Sequence, residues 1–314
     1  MKPVVLSVDY LPNFLTEQLY SSFDFHHELH KNDPAALEKF APQARALVAN
    51  GETILTGEML ARFPKAEIIT VFGVGYDGID INAASERGIE VTHTPNVLTD
   101  DVADLAMALI LTVSRRIIPA DQHVRTRAWS NGAFPFSRKV SGSKIGIIGL
   151  GRIGRTIAKR AEAFDMQIAY TDRNVIPGVK YDFYPDAVQL AKEVDYLVVA
   201  AYGGPSTLGL VNTKVLNALG PNGYLINIAR GSVVNEADLV AALQEKRIAG
   251  AGLDVFANEP NVPAELLALD NVVLTPHMAS GTVQTRTAMA DLAHANLVAH
   301  FAGKPLPSPI PKAN

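Results

Sequence analysis

Short apolar segments alternate with longer amphipathic segments along most of this chain. The short segments are rich in β-branched residues and end at Gly, Asp, Asn or Pro. In chain order they are "VVLSV", "ALVAN", "IITVFG", "IEVTHT", "KIGIIGLG", "QIAYTD", "YLVVAA", "YLINIA", "AGLDVF" and "VVLTP". Apolar runs of this length are typical of strands buried on both faces. Because helical stretches lie between them, the pattern predicts an α/β fold with parallel sheets and crossover helices.

The predicted strands form two sets. One set ends near Pro95 and the other begins at Lys144, and a long helical pattern, Thr99–Ile117, lies between them. A second long amphipathic stretch runs from Gln284 to about Gly303. A length of 314 residues also favours two cores. We therefore expect one domain from residues 1–98 and 284–314 and a central domain from residues 99–283.

Composition narrows the class of protein. A hydrophobic content of 48% with 19% charged residues indicates a globular chain, and a net charge of −4 offers no broad basic surface for nucleic acid. The chain has no cysteine, which excludes disulfides, thiolate nucleophiles and cysteine-ligated metals and fits a reducing cytoplasm. The apolar run Leu105–Val113 is shorter than the roughly 20 residues of a membrane span. We expect a soluble, cytoplasmic protein with no metal site.

A glycine motif follows the first strand of the central set. Gly149, Gly151 and Gly154 form G-x-G-x-x-G between a predicted strand and a predicted helix. Such glycines permit a tight turn, the approach of a pyrophosphate to the backbone, and close packing of helix on strand. Asp172 lies 18 residues beyond Gly154, at the end of the next strand, where an acid reads the adenosine ribose. The spacing predicts a dinucleotide-binding site.

Three polar residues follow later strands of the same set. Arg230 comes after "YLINIA", Glu259 after "GLDVFAN" and His277 after "VVLTP". Each alone also fits an ordinary structural role, as a surface ion pair, a turn residue or a hydrogen-bonded histidine. Together they fit reduction of a 2-oxo acid, in which Arg orients the carboxylate and polarises the carbonyl, His supplies the proton, and Glu holds the imidazolium.

The chain resembles the D-isomer-specific 2-hydroxyacid dehydrogenase family. The resemblance rests on "GVGYDGID", "TPNVLTDDVAD", "IGIIGLGRIG", "INIARGSVVNE", "AGLDVFANEP" and "LTPHMASGT". It implies two Rossmann-like domains with parallel sheets, a central cofactor domain and a discontinuous, flavodoxin-like substrate domain. Arg230, Glu259 and His277 then take the family's catalytic positions.

The resemblance also implies the binding residues. For the substrate they are Asn50, the backbone amides of Val74 and Gly75, and Trp129, which in one branch of the family reaches the partner subunit's active site. A homodimer is therefore expected. The implied cofactor contacts are Gly149, Leu150, Gly151, Arg152, Ile153, Gly154, Asp172, Arg173, Asn174, Tyr202, Ile228, Ala229, Asp254 and Ser280, with Asp254 on the nicotinamide carboxamide.

Within the family, the segments "RAEAFDMQIAY" and "LGPNGYLINIARGSVV" are most similar to glyoxylate/hydroxypyruvate and hydroxyphenylpyruvate reductases, which use NADPH. Asp172 departs from that branch, because a carboxylate opposes a 2′-phosphate. Arg173 and Arg152 offset this charge, or Asp172 turns away and pairs with Arg173. We expect NADP(H) to be favoured, NAD(H) to be usable, and a small 2-oxo acid to be the substrate. The alternatives are a hydroxyphenylpyruvate-type or other D-2-hydroxyacid dehydrogenase, or a non-catalytic NAD(P)-sensing protein.

Overall fold

The computed structural model describes residues 2–27 and 33–310. Residues 1, 28–32 and 311–314 of the predicted terminal domain therefore lie outside the described part. The chain divides into two compact units. The terminal unit comprises the chain up to Leu98 and from Gly281 onward, and the central unit is Thr99–Ser280.

The terminal unit is built on a sheet of five parallel strands. These are β1 (Val4–Ser7), β2 (Asp24–His26), β3 (Ala46–Asn50), β4 (Ile68–Phe72) and β5 (Glu90–Thr92). Their order is β2-β1-β3-β4-β5, which is the flavodoxin-like order. The helices of this unit are α1 (Asn13–Ser22), α2 (Pro34–Phe40), α3 (Gly57–Ala61), α4 (Ile81–Glu86) and the last helix of the chain, α12 (Val283–Phe301). All five residues of β4 are buried, as expected for a strand covered on both faces.

The central unit is built on a sheet of seven parallel strands. These are β6 (Lys144–Ile148), β7 (Gln167–Thr171), β8 (Asp182–Phe183), β9 (Tyr196–Val199), β10 (Tyr224–Asn227), β11 (Gly250–Leu253) and β12 (Val272–Leu274). Their order is β12-β11-β10-β9-β6-β7-β8. Strands β7 and β8 lie on one side of β6, and strands β9 to β12 lie on its other side, so the order in which strands are added reverses between β6 and β9. Ligands of such sheets bind at the carboxyl ends of the strands at this point. The predicted α/β fold with two parallel sheets is confirmed.

The helices of the central unit are α5 (Thr99–Ser114), α6 (Ile117–Arg125), α7 (Arg152–Glu162), α8 (Ala187–Lys192), α9 (Thr213–Leu219), α10 (Glu236–Gln244) and α11 (Ala264–Leu267). Several helices in both units begin at a side chain that accepts a first-turn amide. These caps are Thr56, Asp80, Asp186, Asn212, Asn235 and Thr282. Among the described residues, no helix combines the length and the apolar character needed to cross a membrane.

The long helix predicted over Thr99–Ile117 is interrupted in the structure. Helix α5 ends at Ser114, and Arg116 adopts a left-handed conformation with φ of 49° before α6 begins at Ile117. The hydroxyl of Ser114 donates to the carbonyl of Ile110 and contacts Tyr196 Oη at 3.0 Å. The chain therefore turns at Arg116, and none of the residues of α6 is buried.

Candidate active site

The glycine turn after β6 has the shape that a bound dinucleotide requires. Gly149 has φ of 91°, and a Cβ there would lie 2.8 Å from Cα of Ala201. A Cβ on Gly154 would lie 2.2 Å from the carbonyl oxygen of Gly149, so the helix packs directly on the turn. A Cβ on Gly151 would instead meet no atom within 4 Å. The first and third glycines thus permit close packing, and the second faces open space at the N-terminus of α7.

No side chain caps that end of α7 in the described part of the chain. Its first-turn amides are therefore suited to an anion such as a pyrophosphate. Arg152, the first residue of the helix, is exposed, and Ile153 is partly buried. The turn and the helix end together form a cradle that fits the phosphates of a dinucleotide.

Asp172 lies directly after β7, and the backbone holds its carboxylate. The amide of Leu150, within the glycine turn, donates to Oδ2 at 2.9 Å, and the amide of Arg173 donates to Oδ1 at 2.8 Å. Among the described residues, no ion pair joins this carboxylate to the guanidinium of Arg173. Arg173 and Asn174 are exposed. The acid thus faces the glycine turn, and the neighbouring polar side chains extend into solvent.

Tyr202 follows Ala201, the residue that contacts Gly149, and its side chain is 59% exposed. The other predicted cofactor contacts of the central unit lie in loops that follow later strands. Ile228 is buried, Ala229 is partly buried after β10, and Ser280 ends the unit. The structure thus places these residues beyond the carboxyl ends of their strands.

Glu259 and His277 form a hydrogen-bonded pair. Nδ1 of His277 lies 2.7 Å from Oε2 of Glu259, and the side chains are 30% and 18% exposed, respectively. The second carboxylate oxygen accepts the amide of Phe256 at 2.8 Å, which fixes the carboxylate. Because a carboxylate only accepts, Nδ1 carries the proton of this contact. The sequence predicted the pairing, and the structure brings the two side chains together.

Asp254 organises the loop that carries His277. Its side chain is fully buried; Oδ1 accepts from the hydroxyl of Thr275 at 2.7 Å and the amide of Met278 at 2.9 Å, and Oδ2 accepts from the amide of Ala279 at 2.9 Å. Burial raises the pKa of Asp254 above its usual range, and these hydrogen bonds oppose that shift. The backbone of His277 has φ of 47° and donates to the carbonyl of Asp254 at 2.9 Å. The predicted contact with the carboxamide stays a prediction.

Arg230 follows β10 and is held by the residues beside it. The side chain of Asn227 donates to the carbonyl of Arg230 at 2.9 Å and accepts from the amide of Ala229 at 3.1 Å. A Cβ on Gly231 would lie 1.9 Å from the carbonyl carbon of Phe256, so this turn presses on the segment whose amide binds Glu259. The three predicted catalytic residues are thus linked through one packed set of loops.

Three of the supporting residues were not predicted from the sequence. Asn227 and Gly231 flank Arg230, the predicted catalytic arginine, in "NIARG", and Glu236 accepts the amide of Ala257 at 3.1 Å. A buried Asn at a strand end and a Gly after a candidate Arg are the available signals. The partners of Asn227 are its near neighbours, whereas those of Gly231 and Glu236 lie in a loop more than 20 residues away, so these last two contacts are visible only in the fold.

Asn50 and the loop Gly73–Gly78 lie next to each other in the terminal unit. The side chain of Asn50 donates to the carbonyl of Tyr10 at 3.2 Å and accepts from the amide of Glu52 at 2.9 Å. A Cβ on Gly73 would lie 3.2 Å from Cα of Gly51, so the two backbones are in contact. Val74 and Gly75 are partly exposed at this point. Asn50 therefore has a structural role, and its substrate contact stays a prediction.

Trp129 lies apart from these loops in the sequence, in the short 3₁₀ turn Ala128–Asn131 after α6. Its side chain is 67% exposed. The segment around it is tied internally, because Nε2 of His123 lies 3.0 Å from the carbonyl oxygen of Gly132.

A parallel sheet with a dinucleotide turn and a hydrogen-bonded Glu–His pair in its strand-end loops defines the class of nicotinamide-dependent oxidoreductases. Residues 107–279 match the family described as D-isomer specific 2-hydroxyacid dehydrogenase, NAD binding domain. The chain is 51% identical over 280 residues to the hydroxyphenylpyruvate reductase of Plectranthus scutellarioides, covering 88% of this chain and 90% of that protein.

Two further relatives agree with this match. The glyoxylate/hydroxypyruvate reductase A of Arabidopsis thaliana is 50% identical over 274 residues, covering 87% of this chain and 88% of that protein. The crystal structure of the NADPH-dependent glyoxylate/hydroxypyruvate reductase of Sinorhizobium meliloti with NADP and malonate is 43% identical, with a TM-score of 0.92 over 99% of this chain and 98% of that one. The chain belongs to the D-isomer specific 2-hydroxyacid dehydrogenase family, and its prediction as an oxidoreductase is confirmed.

Proposed function

We propose that this protein reduces small 2-oxo acids of the glyoxylate/hydroxypyruvate type to D-2-hydroxy acids with NAD(P)H. The observation that carries the proposal is the 2.7 Å contact between His277 and Glu259 in the unit that also holds the dinucleotide turn. The names of the relatives, two of which are glyoxylate/hydroxypyruvate reductases, support the substrate class.

The proposed mechanism assigns one task to each side chain. Bound nicotinamide supplies the hydride, and the cradle of Gly149, Gly151 and Gly154 holds the cofactor's phosphates. Arg230 orients the carboxylate and polarises the carbonyl through its planar fork of donors. His277, held through Nδ1 by Glu259, donates the proton to the developing alkoxide from Nε2.

We assign binding roles to further residues in each of the two units. In the terminal unit, the amides of Val74 and Gly75 bind the substrate carboxylate, and Asn50 belongs to the same group of loops. In the central unit, Asp254 positions the loop of His277 and contacts the nicotinamide carboxamide. The proposed terminal domain thus binds substrate, and the proposed central domain binds cofactor.

The proposed cofactor preference is NADPH, with NADH usable. A carboxylate about 4 Å from a phosphate raises the binding free energy by roughly a few kcal/mol at an intermediate dielectric. Two backbone amides already bind the carboxylate of Asp172 and offset part of its charge. Arg152, Arg173 and Asn174 are exposed beside it and supply cationic and donor groups for a 2′-phosphate. The solved relative described as NADPH-dependent supports this preference.

A panel of glyoxylate, hydroxypyruvate and hydroxyphenylpyruvate, each assayed with NADPH and with NADH, tests the proposal. We expect turnover of the two smaller acids, with a higher kcat/KM for NADPH. An excess of the NADH value by about tenfold, which is about 1.4 kcal/mol, would contradict the cofactor preference. Tight NADPH binding without turnover of any acid would instead favour the non-catalytic sensor.

The same assay on Asp172→Asn isolates the role of the acid. Removing the charge is expected to raise the ratio of kcat/KM for NADPH to that for NADH. Asp182→Asn is the matched control, because Asp182 is an exposed acid on the neighbouring strand β8. An unchanged ratio in Asp172→Asn would show that this carboxylate does not read the ribose.

We propose that the protein forms a homodimer through residues 117–136. This segment exposes five large apolar side chains: Ile117, Ile118, Val124, Trp129 and Phe136. An apolar surface of this kind on a globular chain is typical of an interface. A second copy of this chain is the proposed partner.

We also propose a cytoplasmic location. The absence of cysteine supports a reducing compartment of this kind.

The double substitution Trp129→Ser with Phe136→Ser is expected to shift the protein from dimer to monomer. Both side chains are largely exposed in the single chain, so their loss should leave the fold of the chain intact. Analytical ultracentrifugation measures the mass, and Leu267→Ser, at a residue 64% exposed on α11, is the control. A monomeric parent protein would refute the proposal.

A further inference from the structure

A buried histidine lies behind the loop to which the carboxylate-binding amides are assigned. His93 follows β5 and is 7% exposed, and its Nδ1 lies 3.0 Å from the carbonyl oxygen of Val74. Its ring also meets the ring of Tyr76 edge to face, with centroids 5.4 Å apart. His93 thus contacts two residues of the loop Gly73–Gly78.

The backbone of His93 is itself fixed. Its amide donates to the carbonyl of Ser308 at 3.2 Å, and the hydroxyl of Ser308 donates back to the carbonyl of His93 at 2.6 Å. Asn296, on α12, binds both the amide and the hydroxyl of Ser308. The imidazole therefore reaches the loop from a rigid support.

The contact acts on one particular peptide group. The carbonyl of Val74 and the amide of Gly75 belong to the same planar unit and point in opposite directions. A carbonyl oxygen only accepts, so Nδ1 of His93 is the donor. A hydrogen bond at the oxygen fixes the plane and polarises the unit, which makes the N–H on its other side a stronger donor.

Other hydrogen bonds hold the two ends of this loop. The amide of Thr94 donates to the carbonyl of Gly73 at 2.8 Å, and the amide of Ile79 donates to the carbonyl of Tyr76 at 3.0 Å. The Val74–Gly75 peptide lies between these anchors. His93 supplies the contact at its carbonyl, where rotation of the peptide would turn the Gly75 amide away.

We propose that His93 is a positioning residue for substrate binding: it orients the Val74–Gly75 peptide so that the Gly75 amide donates to the carboxylate of a 2-oxo acid. The inference rests on the proposed function, in which these amides bind that carboxylate. It assigns His93 no proton transfer, because its effect passes through the peptide group. The predicted signature is a change in the KM of the oxo acid without a matching change in kcat or in the KM of NADPH.

Two polar substitutions both remove the imidazole ring of His93, but only one of them keeps a donor at the position of Nδ1. The amide nitrogen of Asn overlaps the place of Nδ1, whereas that of Gln overlaps the place of Nε2. His93→Gln is therefore expected to raise the KM of the oxo acid by about tenfold, the effect of one hydrogen bond of about 1.4 kcal/mol. His93→Asn is expected to stay within about threefold of the parent protein on the same scale.

His294→Asn is the matched control. His294 is also partly buried in the terminal unit, and its Nε2 lies 2.7 Å from the hydroxyl of Ser22. Loss of this contact should lower stability without changing the KM of the oxo acid. Thermal unfolding of all three variants separates stability from binding.

Steady-state kinetics of the full chain with glyoxylate and NADPH decide between the outcomes. A selective rise in KM in His93→Gln with rescue in His93→Asn supports the proposal. Equal KM values in His93→Gln and the parent protein, or equal losses in both His93 variants, would overturn it. Failure of the proposed function is a different result, since the parent protein itself would then not reduce any 2-oxo acid.

Discussion

Replacement of His277 by Gln is expected to lower kcat for 2-oxo acid reduction by roughly a hundred- to ten-thousand-fold. Gln fills similar space and places its amide nitrogen near the position of Nε2, but it loses the Nδ1 donor toward Glu259 and cannot transfer a proton to the substrate oxygen. The dissociation constant of NADPH should change little, because the glycine turn that is proposed to bind the phosphates lies in a different loop. Steady-state kinetics and NADPH fluorescence titration measure the two quantities.

His300→Gln is a matched control for that substitution. Nε2 of His300 lies 3.0 Å from Oε2 of Glu67, so this is a second histidine–glutamate pair in the same chain. Glu67 precedes β4 and therefore lies at the amino end of that strand, opposite the carboxyl end. The substitution His300→Gln should therefore leave kcat unchanged. If His277→Gln also left kcat unchanged, His277 would have no acid–base role.

The pH profile gives a second signature of the same residue. In the proposed mechanism, reduction uses the imidazolium form of His277 and oxidation uses the neutral imidazole, so the rate of reduction should fall as pH rises. The optimum for reduction should therefore lie at a lower pH than the optimum for oxidation. The residual activity of His277→Gln should lack this dependence.

The strands that the sequence predicts and the strands that it misses differ in burial. All ten predicted strands are present, and β6, at Lys144–Ile148, is a typical case with four of its five residues buried. The two missed strands, Asp24–His26 and Asp182–Phe183, are edge strands of three and two residues. Edge strands this short carry too few apolar positions to form a pattern, so only their pairing with β1 and β7 reveals them.

How much of the site can be predicted depends on how far apart in the sequence the contacting residues lie. The glycine turn and the place of Asp172 at the end of the next strand follow from spacing within one βαβ unit, because local geometry fixes them; its contact with the ribose stays a prediction. The direction of the Asp172 carboxylate does not follow from spacing. Sequence reasoning left open a pair with the Arg173 side chain, whereas the structure shows hydrogen bonds from the amides of Leu150 and Arg173.

Longer-range contacts were beyond the sequence pattern. Asp254 was expected to contact the nicotinamide carboxamide, which stays a prediction; the structure shows its carboxylate bound to the loop of Thr275, Met278 and Ala279. The approach of Gly231 to Phe256 likewise joins two loops that follow different strands. Such contacts depend on the strand order of the finished sheet, which no local pattern encodes.

Substitution of Arg230 by Gln is expected to lower kcat/KM for the 2-oxo acid by roughly a hundred- to a thousand-fold, which is typical for loss of a donor that stabilises a developing oxyanion. Asn227 binds the carbonyl of Arg230 at 2.9 Å, and Gly231 packs against Phe256, so the fold fixes the backbone that carries this side chain; Nη1 of Arg230 also donates to the carbonyl of Ala229 at 2.9 Å. Arg230→Lys keeps the charge but loses the planar fork, and it should recover only part of the activity.

Arg247→Gln is the control for Arg230→Gln. Arg247 is also a partly buried arginine of the central unit, and its guanidinium donates to Asn217 and Glu245. It lies before β11, at the amino end of that strand, whereas Arg230 lies beyond the carboxyl end of β10. A general loss of stability would affect both variants, while loss of a substrate contact affects only Arg230→Gln. If Arg230→Gln changed kcat/KM no more than Arg247→Gln did, the arginine would not bind the substrate, and charge stabilisation would have to come from the backbone amides alone.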